Sequence, residues 1–445
     1  MKWFIFSASL VIGIVSAGIS YAQTGFKFDF GTGKVAPGYL EVTATTTYNE
    51  TQGYGFDYGT KPIAVDRGGP DALRSDFCTS DAPMFFSVKV PQGNYKVTVT
   101  LGDAWNASST TIKSESRRLM VKDISTRPGQ FKTISFMVSV WDSVITGNKA
   151  VRLKPRELDK LDWDNKLTLE FDPNGGPGMP CIDAVRIQKV DSAITVFLSG
   201  NSTVTDQQLE PWSCWGQMIP SFFRPGKVVI SDQAASGATL RSSIARGRLA
   251  KISGMLKPGD YLFIEFAHND QKPGSGEQAY TTYNKYLRQF IDSARAHQAI
   301  PVLVTSTNRR DFDKSGYIYN TLGEFPDAMR YEAKKDQVAL IDLNAMTKTL
   351  YDALGPERSK ELFVQFPAGT FPGQEKTLAD NTHFCDFGAY ELAKCMVEGI
   401  KKKLPLLAKY LKNDLPTFSP AHPDDIRKWS LPYTPMFTSV KPYGN

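Results

Sequence analysis

Histidine is scarce here: the chain has four in 445 residues, so any imidazole chemistry must come from His268, His297, His383 or His422. The five cysteines (Cys78, Cys181, Cys214, Cys385 and Cys395) include no CxxC or CxxH spacing, which argues against a cysteine-based metal site. Charge of one sign is also lacking. The 52 Lys and Arg residues face 46 Asp and Glu, a net charge of +6, and the basic residues are scattered among acids. Without a basic stripe or an aromatic RNA-binding signature, a nucleic-acid partner is excluded, whereas a mild positive balance suits a polyanionic carbohydrate. The GxSxG elbow of α/β-hydrolases is missing too: Gly200 lies two before Ser202, but Val204 lies two after it.

Beyond its first residues the chain has no apolar run long enough to span a bilayer. The opening Met1-Lys2-Trp3, the apolar stretch after it and the closing Ser20-Tyr21-Ala22 read as a cleavable signal, residues 1–22, cut after Ala22. No cysteine precedes Cys78, so the lipoprotein route is closed, and the expected product is a soluble periplasmic or secreted protein. Loss of Lys2 lowers the net charge from +6 to +5. In an oxidising compartment the five cysteines allow up to two disulfides and leave at least one thiol.

The remainder divides in two. Residues 23–190 carry short β-rich runs (84–90, 95–101, 132–140, 167–171 and 184–187) separated by turn signals such as Pro91-Gln92-Gly93-Asn94. That rhythm predicts an antiparallel β-sandwich or jelly roll, with Trp105, Trp141 and Trp163 either buried or lining a sugar-binding face. Residues 191–415 alternate apolar strands (194–198, 227–231, 261–266, 300–306 and 338–341) with amphipathic helices, the pattern of an α/β fold with a parallel sheet. Between the third and fourth strands, Tyr283, Tyr286, Leu287, Phe290, Ile291 and Ala294 recur at helical spacing. The proline- and aromatic-rich residues 416–445 lack periodicity and read as an extended tail packed on the second domain.

In an open parallel sheet the reactive groups gather at the carboxyl ends of the strands. Ser202 follows the first strand, Gly237 the second, His268, Asn269 and Asp270 the third, and Arg309 and Arg310 the fourth. Far downstream, Asp380-Asn381-Thr382-His383 offers a carboxylate and an imidazole from one short loop. A serine hydroxyl becomes a nucleophile when an imidazole takes its proton, and a carboxylate fixes that imidazole's tautomer. His297 ends a helix and His422 lies in the tail, which leaves His268 as the rival base.

Taken together, Gly200-Asn201-Ser202-Thr203-Val204-Thr205-Asp206-Gln207, Ala267-His268-Asn269-Asp270-Gln271-Lys272, Arg309-Arg310-Asp311-Phe312 and Asp380-Asn381-Thr382-His383-Phe384 resemble the SGNH, or GDSL-type, hydrolases, and among them the rhamnogalacturonan acetylesterases. The resemblance implies a three-layer α/β/α, flavodoxin-like domain with Ser202 as nucleophile, His383 as base and then acid, and Asp380 as its orienter. It implies an oxyanion hole from the Ser202 and Gly237 amides and the Asn269 side chain, and no metal or cofactor. The substrate it implies is an acetylated pectic polysaccharide, with His268, Arg309 and Arg310 as tentative substrate contacts, the arginines through galacturonate carboxylates. The amino-terminal sandwich resembles the galactose-binding-like domains joined to such esterases.

The chain departs from the family pattern in having Asn201 in place of aspartate, Ala267 in place of glycine and Asp232 in place of asparagine. These departures admit an alternative, a carbohydrate-binding protein with a decayed site; a deacetylase of another polysaccharide such as acetylxylan is a further one.

Overall fold

The computed structural model describes residues 25–442, so the expected signal up to Ala22 lies outside the described residues. From Gly25 to Lys189 the chain forms two sheets that share one core. In the first, strands Phe131–Val140, Gly93–Gly102, Cys181–Lys189, Gly25–Phe30 and Leu40–Val42 lie side by side in that order. In the second the order is Tyr54–Asp57, Met84–Lys89, Lys166–Pro173, Ser108–Ser114 and Arg118–Thr126. Strand Gly93–Gly102 shows why the sheets close on each other: Tyr95, Val97, Val99 and Leu101 are buried while the alternate residues stay half-exposed. Trp141 is buried beneath the Arg118 guanidinium at 4.3 Å. Trp105, by contrast, is 63% exposed.

From Ile194 onward the architecture is a five-stranded parallel sheet. Its strands, in chain order Ile194–Gly200, Val228–Asp232, Tyr261–Glu265, Ile300–Val304 and Ala339–Ile341, are arranged second, first, third, fourth, fifth. Alternate residues serve opposite faces. Val196, Leu198 and Phe263 pack with helices Leu343–Arg358 and Asp386–Lys403, while Phe197, Leu262 and Ile264 pack with helix Asn284–Ala296, giving three layers. That last helix buries Leu287, Phe290, Ile291 and Ala294 at the predicted spacing, and a π-helical turn, Ala279–Tyr283, precedes it. Because strand order reverses beside the first strand, the end of that strand opens at the switch point where this class of sheet leaves a crevice.

All five cysteines are free and buried, so the disulfides the sequence allows are not formed. For Cys78 and Cys181 the reason is register. Cys78 stands opposite Ile182, and Cys181 opposite Thr79, which sends the two thiols to opposite faces of the sheet. No helix among the described residues is long and apolar enough to cross a membrane.

The sandwich and the parallel-sheet body are joined through buried charge. Between strands Ser108–Ser114 and Arg118–Thr126 the chain makes a tight turn, with Glu115 and Arg117 at φ 52° and 62°. This turn drives two guanidinium groups into the neighbouring body. Arg117 pairs with Glu210 at 2.6 Å and Asp386 at 3.0 Å; Arg118 pairs with Asp206 at 2.5 Å and with Asp162 of its own domain at 2.6 Å. The tail touches both bodies. Thr434 donates its hydroxyl to Glu170 at 2.6 Å and its N–H to Glu210 at 3.0 Å, and the Lys113 ammonium donates to Pro432 O at 2.8 Å.

Candidate active site

At the end of the first parallel strand, Gly200 leaves no room for a side chain: a Cβ there would lie 2.6 Å from Val204 and 2.9 Å from the Glu265 carbonyl. The chain then turns sharply, with the N–H groups of Val204 and Thr205 donating to Asn201 O at 3.1 and 3.0 Å. This turn presents Ser202, whose Oγ lies 2.9 Å from His383 Nε2. On the other side of the ring, His383 Nδ1 is 3.0 Å from Asp380 Oδ2. Asp380 Oδ1 is held by two backbone N–H groups, from Thr382 at 2.6 Å and His383 at 2.8 Å.

The Asp380–His383 stretch is part of a strand rather than a free loop. Strand Leu378–Phe384 pairs antiparallel with Phe363–Phe366, matching Gln365 to Ala379 and Phe363 to Phe384. Four residues, Asp380 to His383, therefore bulge out opposite the single residue Val364, and the bulge sets Asp380 against His383 and His383 against Ser202. The Trp212 ring stands perpendicular to the imidazole at a centroid separation of 5.7 Å.

Charge follows from this geometry. Burial alone would raise the Asp380 carboxyl, but the hydrogen bond and charge of His383 and the two backbone N–H groups hold it well below the usual range. Burial lowers His383 from its ordinary value, Asp380 offsets part of this, and the positive charges of Lys441 and Arg156 lower it further. Lys441 comes from the tail and lies 3.1 Å from Asp380 Oδ2. The imidazole is thus neutral near pH 7 and ready to accept a proton.

Three further loops meet around Ser202. Gly237 has φ +71°, a conformation that favours glycine, and its turn is tied to the serine loop by Ala235 N–H donating to Gly200 O at 3.1 Å. Gln207 Nε2 donates to Ser202 O at 3.0 Å and to Ser236 Oγ at 3.3 Å. Asn269 Nδ2 donates one N–H to Ala238 O at 3.1 Å, which leaves its second N–H for another acceptor. Its neighbour Ala267 is not among the described non-glycine residues with positive φ, so the methyl in place of the family's glycine is unstrained.

His268 is buried, with Nε2 3.2 Å from Thr307 Oγ1, and burial together with Arg309, His383 and Lys272 pushes its pKa well down. Arg309 donates to His268 O at 3.3 Å and to Thr321 O at 3.4 Å, so this guanidinium braces two loops. The backbone N–H of Arg310 donates to Asn381 O at 2.8 Å, linking it to the Asp380–His383 bulge.

Asn201 uses Oδ1 to accept from Thr203 N and Oγ1 at 3.1 and 3.0 Å, and Thr203 Oγ1 also lies 3.0 Å from Glu265 Oε1. Glu265 in turn accepts from Trp215 Nε1 at 2.7 Å, and burial pushes its carboxyl up to about 7. The signal for Glu265 was present in the sequence, as an acid ending the apolar strand that begins at Tyr261. Asp232 accepts from Ala234 N–H at 2.9 Å, and burial plus the nearby Asp206 raise it well above the usual carboxylate range. In its neutral form Asp232 offers an acceptor oxygen and a single O–H donor, one donor fewer than the asparagine of the family pattern. The donor atoms of Asp206, Cys214 and Asp232 lie within 4.8 Å of one another, but Asp206 is already paired with Arg118 and the Cys214 thiol donates to Val204 O at 2.6 Å.

Two family models match: the galactose-binding domain-like part of the β-agarase/YxiM esterase-like proteins over residues 26–122, and the GDSL-like lipase/acylhydrolase family over residues 198–364. Rhamnogalacturonan acetylesterase RhgT of Bacillus subtilis (strain 168) is 47% identical over 216 residues, which span 48% of this chain and 92% of that protein. The uncharacterized esterase YxiM of the same organism is 25% identical over 418 residues, 90% of this chain and 98% of YxiM. The probable rhamnogalacturonan acetylesterase YesY, also from that strain, is 32% identical over 225 residues, 49% of this chain and 97% of YesY. The chain belongs to the GDSL-like lipase/acylhydrolase family of carboxylic ester hydrolases and carries an amino-terminal galactose-binding-like domain.

Proposed function

We propose that this protein is an exported serine esterase that removes O-acetyl groups from acetylated pectin, with rhamnogalacturonan as its substrate. The observation that carries the reading is the hydrogen-bonded series Ser202 Oγ, His383, Asp380, with contacts of 2.9 and 3.0 Å. The names of RhgT and YesY support the choice of polysaccharide. The short apolar amino terminus supports export, and the reading assigns residues 23–190 to the sandwich, 191–415 to the hydrolase domain and 416–445 to the tail.

In the first half-reaction Ser202 Oγ attacks the acetyl carbonyl carbon as His383 Nε2 takes the hydroxyl proton. The charge that develops on the carbonyl oxygen is met by the Ser202 and Gly237 N–H groups and the Asn269 amide; removing one such donor in other enzymes costs about 3 kcal/mol. Collapse breaks the bond to the sugar oxygen, which leaves with the proton from His383. Water then attacks the acetyl-Ser202 ester, again giving its proton to His383, and acetate departs as Ser202 regains its hydrogen. Asp380 stays ionised throughout and keeps Nδ1 protonated, so Nε2 is the nitrogen that exchanges protons.

The test is acetate release from acetylated rhamnogalacturonan by the purified protein and its Ser202→Ala variant. Loss of at least about a thousandfold in the variant is expected. Equal rates would sink the serine mechanism, binding without turnover by the wild type would favour the decayed-site reading, and preference for acetylxylan would overturn the choice of substrate.

A further inference from the structure

We propose that Glu265 is a positioning residue that acts with a proton on Oε1: this O–H donates to Thr203 Oγ1, which sends the threonine's own hydrogen to Asn201 Oδ1 and holds the turn that carries Ser202. The inference rests on the serine-esterase reading and goes beyond it, because it adds a proton outside the triad on which the nucleophile's placement depends.

The hydrogen count around Thr203 carries the inference. Its Oγ1 lies 3.0 Å from Asn201 Oδ1 and 3.0 Å from Glu265 Oε1, yet a hydroxyl has one hydrogen and can donate to only one of them. Asn201 cannot relieve the conflict by turning its amide, since Oδ1 also accepts the Thr203 N–H at 3.1 Å and an NH2 group there would face that donor. An ionised Glu265 would therefore compete with Asn201 for the single hydrogen. A protonated Glu265 removes the competition, and each oxygen in the series then meets a hydrogen. Its other oxygen, Oε2, accepts from Trp215 Nε1 at 2.7 Å, which leaves the proton on the Oε1 side.

The surroundings favour that state. Glu265 ends strand Tyr261–Glu265 fully buried, and burial pushes its carboxyl up to about 7. No lysine, arginine or histidine among the described residues shifts it; the titratable groups that feel its charge are the buried phenols of Tyr283 and Tyr351, both held neutral. The series reaches the nucleophile directly. Asn201 precedes Ser202, and its carbonyl accepts the Val204 and Thr205 N–H groups at 3.1 and 3.0 Å. Thr307 extends the series to a further loop, because its N–H donates to the Glu265 carboxyl and its hydroxyl lies 3.2 Å from His268 Nε2. As pH rises through about 7 the proton leaves, Thr203 turns its hydrogen to the carboxylate, and Asn201 loses one of its two anchors.

The test is the pH profile of kcat for an aryl acetate between about pH 5.5 and 9. In the wild type kcat should fall about tenfold along an alkaline limb centred near pH 7, with KM changing little. Glu265→Gln, whose amide N–H takes the place of the acid's O–H at every pH, should lose the limb and recover most of the kcat forfeited in Glu265→Leu, which donates nothing. A wild type without an alkaline limb would overturn the proposal before any variant has to fold. A limb that persists unchanged in Glu265→Gln would assign it to another group and overturn the proposal as well, as would equal kcat in the glutamine and leucine variants. Failure of the parent reading looks different: Ser202→Ala then hydrolyses the aryl acetate as fast as the wild type.

Discussion

Replacing Asp380 by asparagine isolates the role of one proton position. The side chain has two distinct ends. Oδ1 accepts the Thr382 and His383 N–H groups at 2.6 and 2.8 Å, while Oδ2 faces His383 Nδ1 at 3.0 Å and the Lys441 ammonium at 3.1 Å. In Asp380→Asn the amide oxygen must stay with the two backbone donors, because turning it around would set an NH2 group against both. The NH2 then faces Nδ1 and Lys441. To accept that hydrogen, Nδ1 must lose its proton to Nε2, which lies 2.9 Å from Ser202 Oγ and can no longer act as base. The change keeps volume and nearly all packing, so stability should move little. The expected fall in kcat is roughly 10³ to 10⁴-fold, about 4 to 5.5 kcal/mol of barrier. Steady-state kinetics with an aryl acetate, alongside the melting temperature, measure both quantities. A variant that is folded and keeps more than about a tenth of kcat would falsify the assignment of Asp380 as the group that sets the imidazole tautomer.

Burial lowers His383, so the acid limb of kcat/KM should fall with a midpoint below about 6.5; because Lys441 lowers it further, Lys441→Gln should move that limb to higher pH, and an unmoved limb would remove Lys441 from the site's electrostatics. Asp232 keeps its proton in the folded state and loses it in the unfolded chain, so it lowers stability progressively as pH rises above about 4. Asp232→Asn should accordingly gain stability relative to the wild type as pH rises, by at most about 1.4 kcal/mol per pH unit, and keep kcat within roughly threefold; denaturant titrations at pH 5 and 8 read this, and an equal difference at both pH values counts against a buried neutral acid. Arg118→Ala strips the charge partner from buried Asp206 and Asp162 and should cost about 3 to 5 kcal/mol, seen as a large drop in melting temperature; a drop of only a degree or two would mean that these acids find other partners.

Much of the architecture was legible because it rests on periodicity. Tyr95, Val97, Val99 and Leu101 alternate along one strand, and Leu287, Phe290, Ile291 and Ala294 recur along one helix, so the burial found for them follows from local spacing. Ser202, Gly237 and Asn269 were legible because each follows an apolar strand. The bulge that aims Asp380 and His383 was not, since it depends on how many residues of a distant strand face it. Lys441 was invisible for the same kind of reason: a tail without periodicity gives no hint of where it docks. Cysteine counting allowed disulfides, whereas the opposed faces of Cys78 and Cys181 are fixed only by strand register.

The charges buried where the two bodies meet bear on whether such a chain can be divided. RhgT is matched over 92% of its length by 216 residues of this chain, so a relative consists of little more than the hydrolase part. Here that part carries Asp206, Glu210 and Asp386 facing Arg117 and Arg118 of the sandwich. Excising the sandwich would remove the partners of three acids, one of them on the serine loop, and open the apolar and charged surface between the bodies to water. The stability of each body is therefore tied to the presence of the other, so that a lesion in the sandwich is felt at the serine loop through Arg118 and Asp206.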